Sequence, residues 1–217
     1  MKNLSTFLVF ILFGSTVFGT AQSPDIIIYK EKEYRLLNNP LESYFQQYPD
    51  KRPKNGTISS ANWRGYVAKF EIIDDQLYLV EIEILVEYTE NEEKAYKFVN
   101  VLNEVFPDED FIKIDWVSGL LVLPYGEIVD YVHMGYASLY EHYILLEMDN
   151  GILKDEMQLN SREYKKYREK QFQVYKKTEE YEKKKSEIRR YGGSSESNIE
   201  SFLRIFEIDY MTIILRK

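Results

Sequence analysis

The chain has 217 residues, with 36 acidic and 28 basic side chains and no Cys. The absence of Cys excludes disulfide bonds, thiol nucleophiles and Cys metal ligands, so an ordinary apolar core must stabilise the fold. The formal net charge of −8 argues against nucleic acid as a partner.

The first residues have the three parts of a secretory signal peptide. Lys2 gives a short positive region, residues 7–18 are apolar, and Gly19-Thr20-Ala21 is a small-residue cleavage site. A membrane anchor is the competing interpretation, but spanning a bilayer takes roughly twenty apolar residues. We therefore expect residues 1–21 to be a signal peptide and the mature chain, from Gln22, to be exported to the periplasm or outside the cell without a transmembrane segment.

Residues 22–159 predict a domain rich in β-strands. Residues 26–29 and 34–37 indicate an opening hairpin, and Asn39-Pro40 begins a short helix or turn. The clearest alternation follows Asp74-Asp75, with an inward and an outward set of side chains. The inward set is Tyr78, Val80, Ile82, Ile84 and Val86, and the outward set is Glu81, Glu83 and Glu87.

Residues 90–106 predict an amphipathic helix packed on this sheet. Thr89 to Glu92 resemble a capping box, and Ala95, Phe98 and Phe106 keep helical spacing before Pro107. Strand patterns then return, with Asn150-Gly151 as the strongest hairpin turn. The further strands are predicted at residues 112–116, 120–123, 128–134, 139–148 and 152–159. The predicted class is α+β, with a mostly antiparallel sheet of about eight strands.

Residues 160–191 predict one long basic helix, with 12 Lys or Arg against 6 Glu. We expect it to pack at its first half and to project at its second half. Its charge has two interpretations: it neutralises the acidic sheet domain, or it binds an acidic partner, an acidic glycan or a membrane surface. Residues 192–217 predict a hinge, a short helix at residues 199–206 and a closing strand at residues 208–215, packed back on the domain.

Three groups of residues are candidates for function, and no cofactor is indicated. His133 and His142 would be opposite each other in a hairpin that turns at Ala137-Ser138, where two rings can bind one metal ion; the alternative is two ordinary sheet histidines. Glu81 and Glu83 would attract a basic partner, or only keep one sheet face solvated. The third group is an aromatic patch that suits a protein interface or sugar stacking, unless its rings are core residues: Tyr131, Tyr136, Tyr140 and Tyr143.

The sequence contains no complete catalytic set such as a nucleophilic Ser with its own His and Asp. It therefore favours an exported, non-catalytic protein of the bacterial envelope that binds another envelope or secreted protein, as an inhibitor or immunity protein does. One alternative is an envelope module that binds carbohydrate or lipid through the tyrosines. Another is a hydrolase that uses carboxylates or a metal held by His133 and His142.

Overall fold

The computed structural model describes residues 22–206 except 108, 110, 134, 135, 193 and 194. The predicted signal peptide and the predicted closing strand at residues 208–215 lie outside the described residues. The described part contains nine strands: β1 (Asp25–Tyr29), β2 (Lys32–Leu36), β3 (Val67–Ile73), β4 (Gln76–Glu90), β5 (Glu93–Asn100), β6 (Ile112–Lys113), β7 (Gly119–Asp130), β8 (Leu139–Asp149) and β9 (Ile152–Asn160). Its helices are α1 (Pro40–Gln47), α2 (Leu102–Val105), α3 (Ser161–Tyr175), α4 (Glu179–Gly192) and α5 (Glu196–Phe206).

The strands form one mostly antiparallel sheet, which confirms the predicted α+β class. The strand order is β2-β1-β3-β4-β9-β8-β7, with β5 and β6 also paired to β4, and only β1 and β3 run parallel. The two ends of this order meet, because the Leu37 N–H donates to the Val122 carbonyl at 3.0 Å and the Val122 N–H donates to Asn38 Oδ1 at 2.7 Å. The sheet is therefore rolled into an almost closed barrel.

Two apolar cores lie on the two sides of this sheet. Inside the barrel, Leu41 and Phe45 of α1 pack against the inner side chains of the strands. Outside, Val122 of β7 and Leu145 of β8 pack under the three C-terminal helices. Residues 120–124 of β7 and 143–146 of β8 are buried on both faces, so these stretches are near-continuous apolar runs rather than alternating ones.

The predicted helix at residues 90–106 is wrong. Residues 93–100 form β5, which pairs with β4 around a tight turn at Asn91-Glu92, and only Leu102–Val105 is helical. Thr89 pairs with Lys94 across the strands instead of capping a helix. The spacing of the apolar residues fits both structures, and the β-favouring Tyr96 and Phe98 decide for a strand once β4 provides a partner.

The predicted single helix at residues 160–191 is also wrong, since the helix is interrupted by a turn at residues 176–178, between α3 and α4. The Thr178 hydroxyl donates to the Tyr175 carbonyl at 2.8 Å and accepts from the Tyr181 N–H at 3.2 Å. This turn brings Tyr181 edge-on to Phe172 and Tyr175, with ring centroids 6.2 and 5.4 Å apart. Burial of these rings explains why the second half packs instead of projecting into solvent. Across the helices that the structure describes, none has the length and apolarity needed to cross a membrane.

Candidate functional site

Three of the four predicted tyrosines line one cleft of about 280 Å³, which we call the tyrosine cleft. It lies between the first described residues, β2 and the segment that joins β7 to β8. Its lining residues are Gln22, Ser23, Pro24, Arg35, Leu37, Ile128, Tyr131, Tyr136, Ser138 and Tyr140. The structure thus brings Tyr131, Tyr136 and Tyr140 together and adds Arg35, which sequence analysis did not connect with them.

Hydrogen bonds hold the walls of the tyrosine cleft in place. The Tyr136 hydroxyl donates to Asn39 Oδ1 at 2.9 Å, and Arg35 Nη1 donates to the Tyr140 hydroxyl at 3.1 Å. Ser138 Oγ both accepts from the Val132 N–H and donates to the Val132 carbonyl, which closes the connecting segment on itself. The aromatic rings are therefore positioned before any ligand binds.

Tyr143, the fourth predicted tyrosine, belongs to the core and not to the cleft. Its side chain is 0 % exposed, and its ring stacks on Tyr164 with centroids 3.6 Å apart. Its hydroxyl accepts the Tyr140 N–H at 2.8 Å, and burial raises its pKa to about 12. Tyr143 therefore supports the cleft from below and is not a contact residue.

The predicted pairing of His133 with His142 is wrong. His142 lies opposite Tyr125 of β7 and stacks on its ring at 5.0 Å, whereas His133 follows the end of β7 and places Nδ1 2.8 Å from the Tyr131 hydroxyl. Irregularities after Tyr125 shift the register of the hairpin, so counting from the turn fails. In the described part of the chain, no group of three or more His, Asp or Glu side chains could hold a metal ion.

Glu81 and Glu83 lie on the outer face of β4, as predicted. Ile82 and Ile84, which alternate with them along the strand, are buried on the inner face. The inward assignment of Tyr78 and Val80 is wrong, because Leu77 and Leu79 are the buried residues there. The cause is a β-bulge: Glu81 pairs with Lys69 and Leu79 pairs with Phe70, so Val80 is an extra residue.

Beyond Glu83, β4 and β5 form an exposed outer surface that sequence analysis missed, and we call it the hairpin face. It consists of the outward side chains Glu83, Leu85, Glu87, Tyr96 and Phe98. Phe98 is 64 % exposed and lies opposite Leu85. Tyr96 is 51 % exposed, and its hydroxyl donates a hydrogen bond to Glu87 Oε2 at 3.0 Å. Partial burial and the neighbouring Glu81 raise the pKa of Glu83. Two exposed aromatic rings thus lie beside a row of carboxylates.

A buried ion pair at one end of the barrel was also missed. Arg64 Nη1 donates to Asp25 Oδ1 at 2.8 Å, and both side chains are almost completely buried. The Ala68 N–H donates to the same oxygen, and Arg64 also donates to the Ser23 carbonyl. Burial raises the pKa of Asp25 to about 6, although attraction to Arg64 opposes this shift. Asp25 thus joins β1 both to Arg64, which precedes β3, and to Ala68 within β3.

The basic charge of the C-terminal helices is used partly within the helical layer. Glu200 pairs with Lys176 and Arg204, and Glu196 pairs with Lys185 and Arg189. Part of the basic charge is therefore neutralised within the chain. The acidic partners lie in α5, however, and not in the sheet domain.

No known family model, curated protein or solved structure matches the chain. The functional conclusion therefore depends on the geometry of the tyrosine cleft and the hairpin face.

Proposed function

We propose that this protein is an exported, non-catalytic binding protein of inhibitor or immunity type, and that the hairpin face is its contact surface for another envelope or secreted protein. The observation that carries the proposal is the exposure of Phe98 and Tyr96 on a hairpin whose second strand pairs only with β4 among the described strands. The signal-like residues 1–21 support export.

The hairpin face has the composition of an interaction hot spot. Aromatic side chains contribute most of the binding energy in many interfaces, and they act best when a rim of polar groups excludes water around them. Here Glu81, Glu83 and Glu87 form that rim on one side. The partner that fits this surface has an apolar pocket for Phe98, bordered by Lys or Arg.

The carboxylates of the rim would act mainly before contact. Complementary charge accelerates encounter and selects among partners more than it adds affinity. Lys94, which forms an ion pair with Glu87, neutralises part of this charge. Screening at high ionic strength should therefore slow association while it leaves dissociation almost unchanged.

The test is affinity capture of envelope and culture-supernatant proteins on the purified protein, followed by measurement of the captured complex with variants. Phe98→Ala with Tyr96→Ala should weaken the complex about 30-fold or more, the effect of losing a hot spot. The matched control is Val174→Ala with Phe202→Ala, which removes two exposed apolar side chains from the helical layer. The control should bind as the unmodified protein does.

A second pair of variants tests the rim. Glu81→Lys with Glu83→Lys should slow association, whereas Glu182→Lys with Glu187→Lys on exposed positions of α4 should change it little. Capture of no stoichiometric protein would contradict the protein-binding function. A stoichiometric complex that the hairpin variants leave unchanged would contradict the assigned surface.

A further inference from the structure

We propose that the tyrosine cleft is a binding site for a single carboxylated sugar unit, whose carboxylate pairs with Arg35 and whose ring packs against Tyr131. The proposal is independent of the protein-binding function, because it depends on residues of β2 and of the connection between β7 and β8. It assigns a second ligand and a second surface to the chain.

The charge of the cleft selects an anionic ligand. Arg35 is the only charged residue among the residues that line the cleft. Its guanidinium donates to the Tyr140 hydroxyl, and within the described residues no carboxylate is within ion-pair distance of it. A guanidinium has five N–H donors, and a carboxylate matches two of them at once. Arg35 is therefore available to a carboxylate from outside the chain.

The aromatic walls select a ligand that also has a flat apolar face. Tyr131 is 59 % exposed, and the Arg35 guanidinium lies 5.7 Å from the centre of the Tyr140 ring. The faces of tyrosine rings carry negative potential, which attracts the slightly positive C–H groups on one face of a sugar ring.

The size of the cleft limits the ligand to one ring. Sites for drug-sized ligands have volumes of about 300–1,000 Å³, and the tyrosine cleft, at about 280 Å³, lies just below this range. Phosphate groups are usually bound by several converging backbone N–H groups or by a helix N-terminus. The cleft combines one cation with three rings instead, which fits a sugar acid better than a phosphate.

The experiment compares two probes that differ in the carboxylate, methyl β-glucuronide and methyl β-glucoside, by calorimetry and ligand-observed NMR on the purified protein. The glucuronide should bind saturably and at least about tenfold more tightly than the glucoside, as expected for a charge-assisted hydrogen-bond pair. Inorganic phosphate should not compete at the same concentration. Equal binding of the two sugars, or effective competition by phosphate, would overturn the proposed ligand class.

Variants locate the binding. Arg35→Gln should weaken glucuronide binding about tenfold, and Lys32→Gln, an exposed cation on the same strand, should change it less than about twofold. Tyr131→Ala should abolish the NMR contact to the sugar ring, whereas Tyr96→Ala on the hairpin face should keep it. Arg35 and Tyr131 are exposed, so circular dichroism should show intact folds. Equal effects of Arg35→Gln and Lys32→Gln would overturn the site, whatever the outcome for the protein partner.

Discussion

The two halves of β4 belong to one continuous strand but have different surroundings. Residues 76–83 pair with β3 and contribute to the barrel wall. Within the described part of the chain, residues 84–90 pair with β5 alone, apart from a single bond from the Thr57 N–H to the Leu85 carbonyl. The inner side chains of the first half are buried, and the second half becomes exposed towards the turn. One strand thus stabilises the fold at one end and presents an exposed surface at the other.

The same contrast appears in two ion pairs with the same N–O separation. Arg64 and Asp25 are 2.8 Å apart and almost fully buried, and Lys94 and Glu87 are 2.8 Å apart with 74 % and 41 % of their side chains exposed. Water screens the second pair but not the first. Distance alone therefore does not decide what an ion pair contributes.

The largest effect is expected from Arg64→Met, which leaves the Asp25 carboxyl buried without its cation. Loss of one partner from a buried pair costs about 3–5 kcal/mol, so the free energy of unfolding in urea should fall by this amount at neutral pH. Lys94→Met is the matched change on the hairpin and should leave the urea midpoint unchanged. Equal losses in the two variants would contradict the contrast between the pairs.

The core and the hairpin face should separate stability from binding. Ile82→Ala removes a fully buried side chain and should lower the free energy of unfolding by about 2–5 kcal/mol. Phe98→Ala removes an exposed side chain with one cross-strand neighbour, Leu85, and should cost about 1 kcal/mol or less. Chemical denaturation measures both variants, and a loss above 2 kcal/mol for Phe98→Ala would assign this ring to the core.

The pH dependence should isolate Asp25, which faces Arg64 and feels the charge of Glu42. Its pKa is about 6 in the fold and near 4 in the unfolded chain, so between these values the folded state binds more protons. Its contribution to stability is present below pH 4 and is lost as the pH rises through about 6, by up to about 3 kcal/mol.

The control for this prediction is Asp25→Asn. The difference between the unfolding free energies of the unmodified protein and of Asp25→Asn should show the fall between about pH 4 and pH 6. A difference that is constant over this interval would show that folding does not change the pKa of Asp25.

The smallest effect concerns the turns. Asn91 and Glu92 both have positive φ angles, of 49° and 68°, in a tight turn where the second position favours Gly. Glu92→Gly should stabilise the hairpin by about 0.5–1 kcal/mol and slow amide hydrogen exchange in β5. Asp75 is the second residue of the turn between β3 and β4 and also has a positive φ angle. Because this turn belongs to the barrel wall, Asp75→Gly should raise the free energy of global unfolding. Faster exchange in Glu92→Gly would contradict the assigned turn strain.

Sequence reasoning succeeded where a pattern is local. The alternation of Ile82 and Ile84 with Glu81 and Glu83 predicts the two faces of β4 after its bulge, and Asn150-Gly151 predicts the turn between β8 and β9. It failed at β5, because the spacing of Ala95, Phe98 and Phe106 suits a helix until β4 offers a partner. No local rule could separate these two outcomes.

The sites show the same limit. Tyr131, Tyr136 and Tyr140 are close in sequence and line one cleft, but Arg35 reaches Tyr140 over 105 residues. The register between β7 and β8 depends on irregularities that carry no clear mark in the sequence, and this separated His133 from His142. The Asp25–Arg64 pair spans 39 residues and has no periodic pattern at all.

The closure of the barrel also has a consequence for the order of folding. Four pairs of neighbouring strands, β1 with β2, β3 with β4, β4 with β5 and β8 with β9, are joined by two-residue turns, so these hairpins can form within microseconds. The bonds that join the two ends, such as the one from Val122 to Asn38, connect residues 84 positions apart. Closing so long a loop loses chain entropy before any contact compensates for it. The seam between β2 and β7 should therefore form late, after the hairpins it joins.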